Sequence, residues 1–237
     1  MNKLVVYTCV TNGYDSPSRP SSLPSWADWR QFSERDFPDN RQPKLLPHKV
    51  FPDYEYSLWL DGNIDVVGPE FWDVVDAMMS SGLLYAGIAH PDRDCVYEEA
   101  ARVIKNGRDS LWNILRTVRF LRSEGFPEHW GMNENGVMLR RHNDPLVVKF
   151  DSMWWDRFKA LGRRDQMTWG YCMWKTGLEY GYLIPKGENL RKHPWFVYTN
   201  HGAEYHKNLW RDALIRLKLM LYGLVNRRYQ RSSSFFQ

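Results

Sequence analysis

Tyr56-Ser57-Leu58-Trp59-Leu60-Asp61-Gly62-Asn63-Ile64-Asp65 is an apolar run that breaks off in a carboxylate, a glycine and an amide. Such a run reads as a buried strand whose end opens into a polar turn. In open α/β sheets ligands bind outside the carboxyl ends of the strands, which makes this turn a candidate site. Asp61 and Asn63 stand two apart. A bend at Gly62 can turn both oxygen-bearing side chains toward one hard cation and leave room for a bulky ligand near the backbone. That chemistry suits a metal-bound diphosphate. The same Asp-Gly pair between apolar segments is also a hairpin signal, and on spacing alone the turn is the better reading.

Working outward, Lys3 to Val10 is β-branched and apolar and ends in Thr11-Asn12-Gly13-Tyr14-Asp15, a buried first strand feeding a turn. Trp26 to Phe32 can hold a short second strand, and the prolines between Arg41 and Phe51 break any long helix. Helices are expected over Pro69 to Ser81, Val96 to Arg122 with a break near Asn106-Gly107, Pro145 to Leu161, and Asp165 to Thr176. Between them Leu83 to Ala89, Gly136 to Leu139 and Tyr182 to Ile184 read as strands. Alternating strands and helices predict an α/β domain with a mainly parallel central sheet flanked by helices. No G-x-G-x-x-G follows the first strand and no Walker A pattern occurs, so bound phosphates would be held by a metal and basic side chains.

The 237 residues are enough for one full core, with a C-terminal appendage; the expected division is 1–207 as the domain and 208–237 as a basic amphipathic helix and tail. Cys9, Cys95 and Cys172 are widely spaced and suggest neither a disulfide framework nor a zinc site, which fits a reducing compartment. A formal charge of +4 suits anionic ligands but is too small, with acids mixed throughout, to indicate nucleic-acid binding. The N-terminus lacks the apolar length of a signal peptide and no stretch approaches a membrane span, so a cytoplasmic or peripheral protein is expected. The tail, with Arg211, Arg216 and Lys218 among leucines and then Arg227, Arg228 and Arg231, could lie on an anionic membrane or pack on the domain. Packing is the slightly favoured reading.

Several ordered motifs converge: Val5-Val6-Tyr7-Thr8, Gly13-Tyr14-Asp15, Lys44 through Pro52, Tyr56 through Asn63, His90-Pro91-Asp92-Arg93 with Tyr97-Glu98-Glu99-Ala100, Arg140-Arg141-His142-Asn143, Trp154-Trp155 and Arg164-Asp165-Gln166. Together they resemble the TOD1/MUCI70 glycosyltransferase-like family, from about Lys3 to about Tyr171. The resemblance implies a GT-A-like fold in which a D-x-D motif binds a divalent cation, Mn or Mg, and the diphosphate of a nucleotide-sugar donor. Here the motif is Asp61-Gly62-Asn63, and the amide in its second position supplies a weaker, neutral ligand. Asp61 ranks first as ligand, Asn63 second and Asp65 third.

In such folds the end of the first strand meets the base and ribose, which assigns Thr8, Thr11, Tyr14 and Asp15 to the nucleotide unless they form a plain surface turn. Lys44, His48 and Lys49 lie upstream of the motif, where cations can meet the diphosphate, though Lys49 could equally be solvated. Arg93 follows a strand and its fork matches anionic oxygens, while Asp92 and Asp94 could simply cap a helix. Asp165 is either a helix cap or the acidic residue that handles the acceptor, and is the first candidate for general base; Glu134 is the second. A C-terminal histidine on the metal, as in many GT-A enzymes, would be His193 or His201. The expected activity is metal-dependent sugar transfer to a polysaccharide or glycolipid acceptor; the rival is a non-catalytic nucleotide-sugar or glycan binding module, which Asn63 favours.

Overall fold

The computed structural model describes residues 2–13, 15–17, 19–199 and 209–233. Its centre is a six-stranded sheet in the order β2-β1-β3-β6-β5-β7. These strands are β1 (Asn2–Val10), β2 (Ala27–Ser33), β3 (Tyr54–Leu60), β5 (Tyr85–Ala89), β6 (Asn133–Arg140) and β7 (Gly181–Tyr182). β1 pairs in parallel with β2 and β3, and β5 in parallel with β7. β6 alone runs against its neighbours, antiparallel to both β3 and β5. The expected mainly parallel sheet is therefore present, with one reversed strand in its middle. The reversal puts the start of β6 beside the end of β3.

Both sheet faces are covered, so the inner strands read as continuous apolar runs instead of alternating ones. Val5, Tyr7 and Trp59 point to one face, where they meet Trp154, Trp169, Val118 and Ala100. Those residues belong to α3 (Val96–Lys105), α4 (Leu111–Ser123), α5 (Pro145–Leu161) and α6 (Gln166–Thr176). Leu4, Val6, Leu58 and Leu60 point to the other face and meet Phe71, Trp72 and Val75 of α2 (Glu70–Ser80). The break expected near Asn106-Gly107 separates α3 from α4, and Gly107 takes a positive φ there. Pro145 opens α5 behind Asp144, whose carboxylate accepts from the Leu146 amide and caps the helix. A last helix, α7 (Leu209–Ser233), packs on α3 and α4, where the Tyr222 hydroxyl donates to the Tyr97 carbonyl and Arg122 donates to Asn226.

The turn at Asp61-Gly62-Asn63 does not close a hairpin between its flanking strands. β4 (Ile64–Val66) leaves the main sheet and pairs with β8 (Phe196–Tyr198) in a separate ribbon. Gly62 is required by crowding: a Cβ there would lie 2.3 Å from Val10 Cγ2 and 3.1 Å from Asp15 Cβ. The room expected for a ligand at Gly62 is filled by the chain itself.

Beneath this edge lies a buried charge network. The Arg140 guanidinium on β6 donates to Asp151 Oδ1 of α5 at 2.9 Å, to the Tyr7 hydroxyl at 3.2 Å and to the Lys44 carbonyl at 2.6 Å. Both charged side chains are fully buried. Burial pushes the Asp151 carboxyl up and Arg140 pulls against it. Removing one partner leaves an uncompensated charge in the core. Arg140→Met is expected to lower the unfolding free energy by about 3–5 kcal/mol in denaturant titration. The double variant Arg140→Met with Asp151→Leu is expected to recover much of that loss; equal loss in both would refute the account.

Candidate active site

A cleft of about 620 Å³ opens where β1 and β3 end and β6 begins. Asp61 sits at its floor. The Asp61 amide donates to the Gly136 carbonyl at 2.8 Å, and a Cβ at Gly136 would crowd Ile64 Cδ1 at 2.9 Å. Trp59 Nε1 donates to Asp61 Oδ1 at 2.8 Å and fixes the carboxylate from its own strand.

Lys44 completes this floor. It lies on α1 (Arg41–Leu45), the short helix that the prolines of this segment permit, and its side chain is only 3% exposed. Its Nζ stands 3.0 Å from Asp61 Oδ1 and 3.2 Å from Asp165 Oδ2, and 5.3 Å from the centre of the Trp59 ring. Asp165 precedes α6 in the N-cap position but makes no side-chain capping bond; its carboxylate turns instead to Lys44 and to Arg41 Nε at 3.9 Å. Burial alone would raise the Asp165 carboxyl, yet Lys44, Arg41 and Arg164 outweigh it and hold the group well below the usual carboxylate range. A carboxylate so stabilised is a weak proton acceptor at neutral pH.

The walls carry the other chemistry. Arg191 NH1 pairs with Glu134 Oε1, and the Arg191 guanidinium lies 4.7 Å from the centre of the Tyr198 ring. Glu134 Oε2 and both amide atoms of Asn135 are buried with no hydrogen-bond partner. Arg93 reaches the cleft but is committed: its Nε stands 2.6 Å from Glu99 Oε2 and its NH2 2.7 Å from His90 Nε2. A guanidinium can only donate, so that His90 nitrogen accepts and the ring is neutral; burial first, then Arg93, pushes its pKa down to about 4. Exposed Arg102 and Arg108, with Arg164, form a cationic rim.

The remaining candidates are scattered. Asp15 lines the cleft, whereas Thr8 is buried inside β1 and Thr11 lines a neighbouring groove of about 690 Å³. Tyr14 and His201 lie outside the described residues. His48 Nδ1 is 4.0 Å from Asp151 Oδ2, Lys49 is exposed on the following turn, and neither lines the cleft. His193 Nε2 stands 3.0 Å from Glu188 and its ring packs on Trp195 at 4.5 Å, away from the cleft lining. Asn63 is buried at the cleft and its Nδ2 donates to the Thr199 carbonyl at 3.0 Å. Asp65 points away, accepting from the Ser21 amide and hydroxyl. Arg102, Arg108 and Arg191 carried no signal in the sequence, because each comes from a helix end or turn that only the fold brings to the cleft.

Among the described residues no three His, Cys, Asp or Glu side chains gather as a metal cage. A magnesium-like ion needs less: one or two carboxylates, with substrate phosphates and waters filling its shell. Asp61, one oxygen of which is taken by Lys44 and Trp59, fits that role with Asn63 beside it.

Asp165 gives a pH signature. Its folded pKa lies below its unfolded one, so its contribution to stability is full above about pH 4 and is lost as pH falls further. Lys44→Met is expected to cost about 3–5 kcal/mol at neutral pH and to flatten the acid-side slope of stability, as read by thermal melts between neutral and acid pH. An unchanged slope would contradict the pairing.

A family profile described as "TOD1/MUCI70, glycosyltransferase-like domain" matches residues 29–184. The chain is 25% identical over 177 residues to "Probable hexosyltransferase MUCI70" of Arabidopsis thaliana, a match covering 71% of this chain and 30% of that protein. The chain thus spans under a third of the length of this curated relative. Among solved structures, A197 from STIV superposes with a TM-score of 0.41 at 10% identity, covering 87% of this chain and 99% of that one. Mouse xyloside xylosyltransferase 1 in its apo form gives 0.39 at 11% identity, covering 76% and 84%. The chain belongs to the TOD1/MUCI70 glycosyltransferase-like family.

Proposed function

We propose that the chain transfers a hexosyl unit from a nucleotide-diphosphate sugar to a hydroxyl of a glycan or glycolipid. The observation that carries this reading is Asp61, a strand-end carboxylate fixed by Lys44 and Trp59 under a rim of guanidinium groups, in a chain of this family. Arg102, Arg108 and Arg164 take the diphosphate oxygens through charge-assisted hydrogen bonds. Asp61 with Asn63 holds the divalent cation. When bound, that ion neutralises charge developing on the departing diphosphate. The acceptor oxygen bonds to the anomeric carbon, the bond to the diphosphate breaks with its electron pair, and the acceptor proton passes to a carboxylate.

Glu134 suits that last role better than Asp165. Its Oε2 is buried without a partner while Arg191 fixes the other oxygen; Asp165 is spent on Lys44 and Arg41. Asp165 then acts as a positioning residue for Lys44. Calorimetry with UDP and manganese, paired with a donor-hydrolysis assay, tests the reading. Arg102→Ala and Arg108→Ala are each expected to weaken UDP about ten- to a hundredfold, the worth of a hydrogen bond to a charged group. Glu134→Gln is expected to retain binding and lose turnover. Binding without any turnover in the native chain would make it a binding module.

The acceptor side of this reading draws on α7. Tyr222 is buried against α3, while Leu214, Leu217, Met220, Leu221 and Leu224 stand exposed on the opposite side of the helix. Arg216 and Lys218 flank that stripe, and the helix sequence holds six basic residues against the single acid Asp212. A second copy of so basic a helix would be repelled; an anionic lipid surface is complementary to it. Among the described residues no helix is long and apolar enough to cross a membrane, so contact would be at the surface. The protein is expected to co-sediment with phosphatidylserine vesicles and not with phosphatidylcholine vesicles, and to lose this with Leu217→Glu and Leu224→Glu. Equal sedimentation with both lipids, with neither, or a concentration-dependent dimer would refute the assignment.

A further inference from the structure

Asn135 is 6% exposed, it lines the cleft, and neither the oxygen nor the nitrogen of its amide meets a hydrogen-bond partner. Buried amides are normally satisfied, and leaving both ends open opposes folding. The open ends are in keeping with the local backbone. β6 pairs with β5 at Asn133, Glu134, Leu139 and Arg140 and with β3 from Val137 to Arg140, so Asn135 and Gly136 have register partners on neither side. The pairing of β5 shifts between Ala86 and Ile88, opposite this stretch. Such irregularities re-aim side chains beside functional sites. Here Glu134 and Asn135, adjacent in sequence, both line the cleft. Asn133, by contrast, is also unpartnered but packs toward Gly87 and is absent from the lining.

The ligand that fits can be read from the groups. A carboxamide presents one acceptor and a two-hydrogen donor in one plane. Two neighbouring hydroxyls, one donating and one accepting, satisfy both ends together. Beside it lie Glu134 Oε2, likewise buried without a partner, Arg191 stacked on Tyr198 as a flat wall, and Ile64 as an apolar contact. We propose that Asn135 is the residue that reads a vicinal diol on the donor sugar, making this corner of the cleft the hexose subsite. The proposal rests on the nucleotide-sugar reading above and adds to it the group that recognises the sugar. Sites built to bond a hydroxyl discriminate strongly, because an unmatched sugar leaves their buried polar groups unpaired.

Calorimetry of the native chain and of Asn135→Ala with UDP, UDP-glucose and UDP-galactose, all with manganese, tests it. In the native chain one of the two hexose donors is expected to bind about tenfold or more tighter than UDP, the worth of roughly one hydrogen bond. In Asn135→Ala that advantage is lost, while the affinity for UDP stays as it was. The thermal midpoint is expected to stay level or rise, because the substitution removes an amide that nothing in the folded chain satisfies; a marked drop would show a structural role and overturn the proposal. An equal loss for UDP and the hexose donors, or no change for either, also overturns it while leaving the transferase reading intact. Failure of the native chain to bind UDP or either donor overturns both.

Discussion

A lysine ammonium sealed between two carboxylates is the constraint from which the site follows. Lys44 comes from α1, Asp61 from the end of β3 and Asp165 from the start of α6, and all three must arrive together or leave a charge buried alone. A five-residue helix has no stability of its own. α1 is held from below instead, where the Tyr7 hydroxyl donates to the Pro43 carbonyl at 3.0 Å and Arg140 donates to the Lys44 carbonyl. Arg140 in turn is held by Asp151 of α5. Two stacked ion clusters thus tie the sheet to both helices beside the cleft, and the upper one sets the direction of Asp61.

The same pairing shapes the field that a ligand meets. At the floor, the acids Asp61 and Asp165 are compensated by Lys44 and Arg41, and on the wall Arg93 is compensated by Glu99. The exposed guanidinium groups of Arg102 and Arg108 carry their charge at the rim. Uncompensated positive charge is thus kept to the mouth, while the floor is locally neutral apart from Asp61's outer oxygen. Neutral His90 keeps Arg93 aligned with Glu99 without adding charge.

Much of the frame was legible because its signals are local. The apolar run into Asp61, the break at Gly107 and the helix start at Pro145 each depend on neighbouring residues and appear where the sequence placed them. The direction of β6 was not legible, since period and composition do not distinguish a parallel from an antiparallel strand. That one reversal brings Glu134, Asn135 and Gly136, at the start of β6, beside the end of β3 and into the cleft. Long-range pairing hid the rest. Nothing near Asp165 reveals that its carboxylate turns to Lys44 instead of capping α6, and nothing near His48 shows that it lies beside the buried Asp151 and not in the cleft.

The most direct measurement is anomalous X-ray scattering from crystals grown with UDP and manganese chloride. A manganese peak is expected beside Asp61, with the diphosphate directed toward Arg102, Arg108 and Arg164. Nucleotide bound in the neighbouring groove that Thr11 lines, or a manganese peak remote from Asp61, would contradict it.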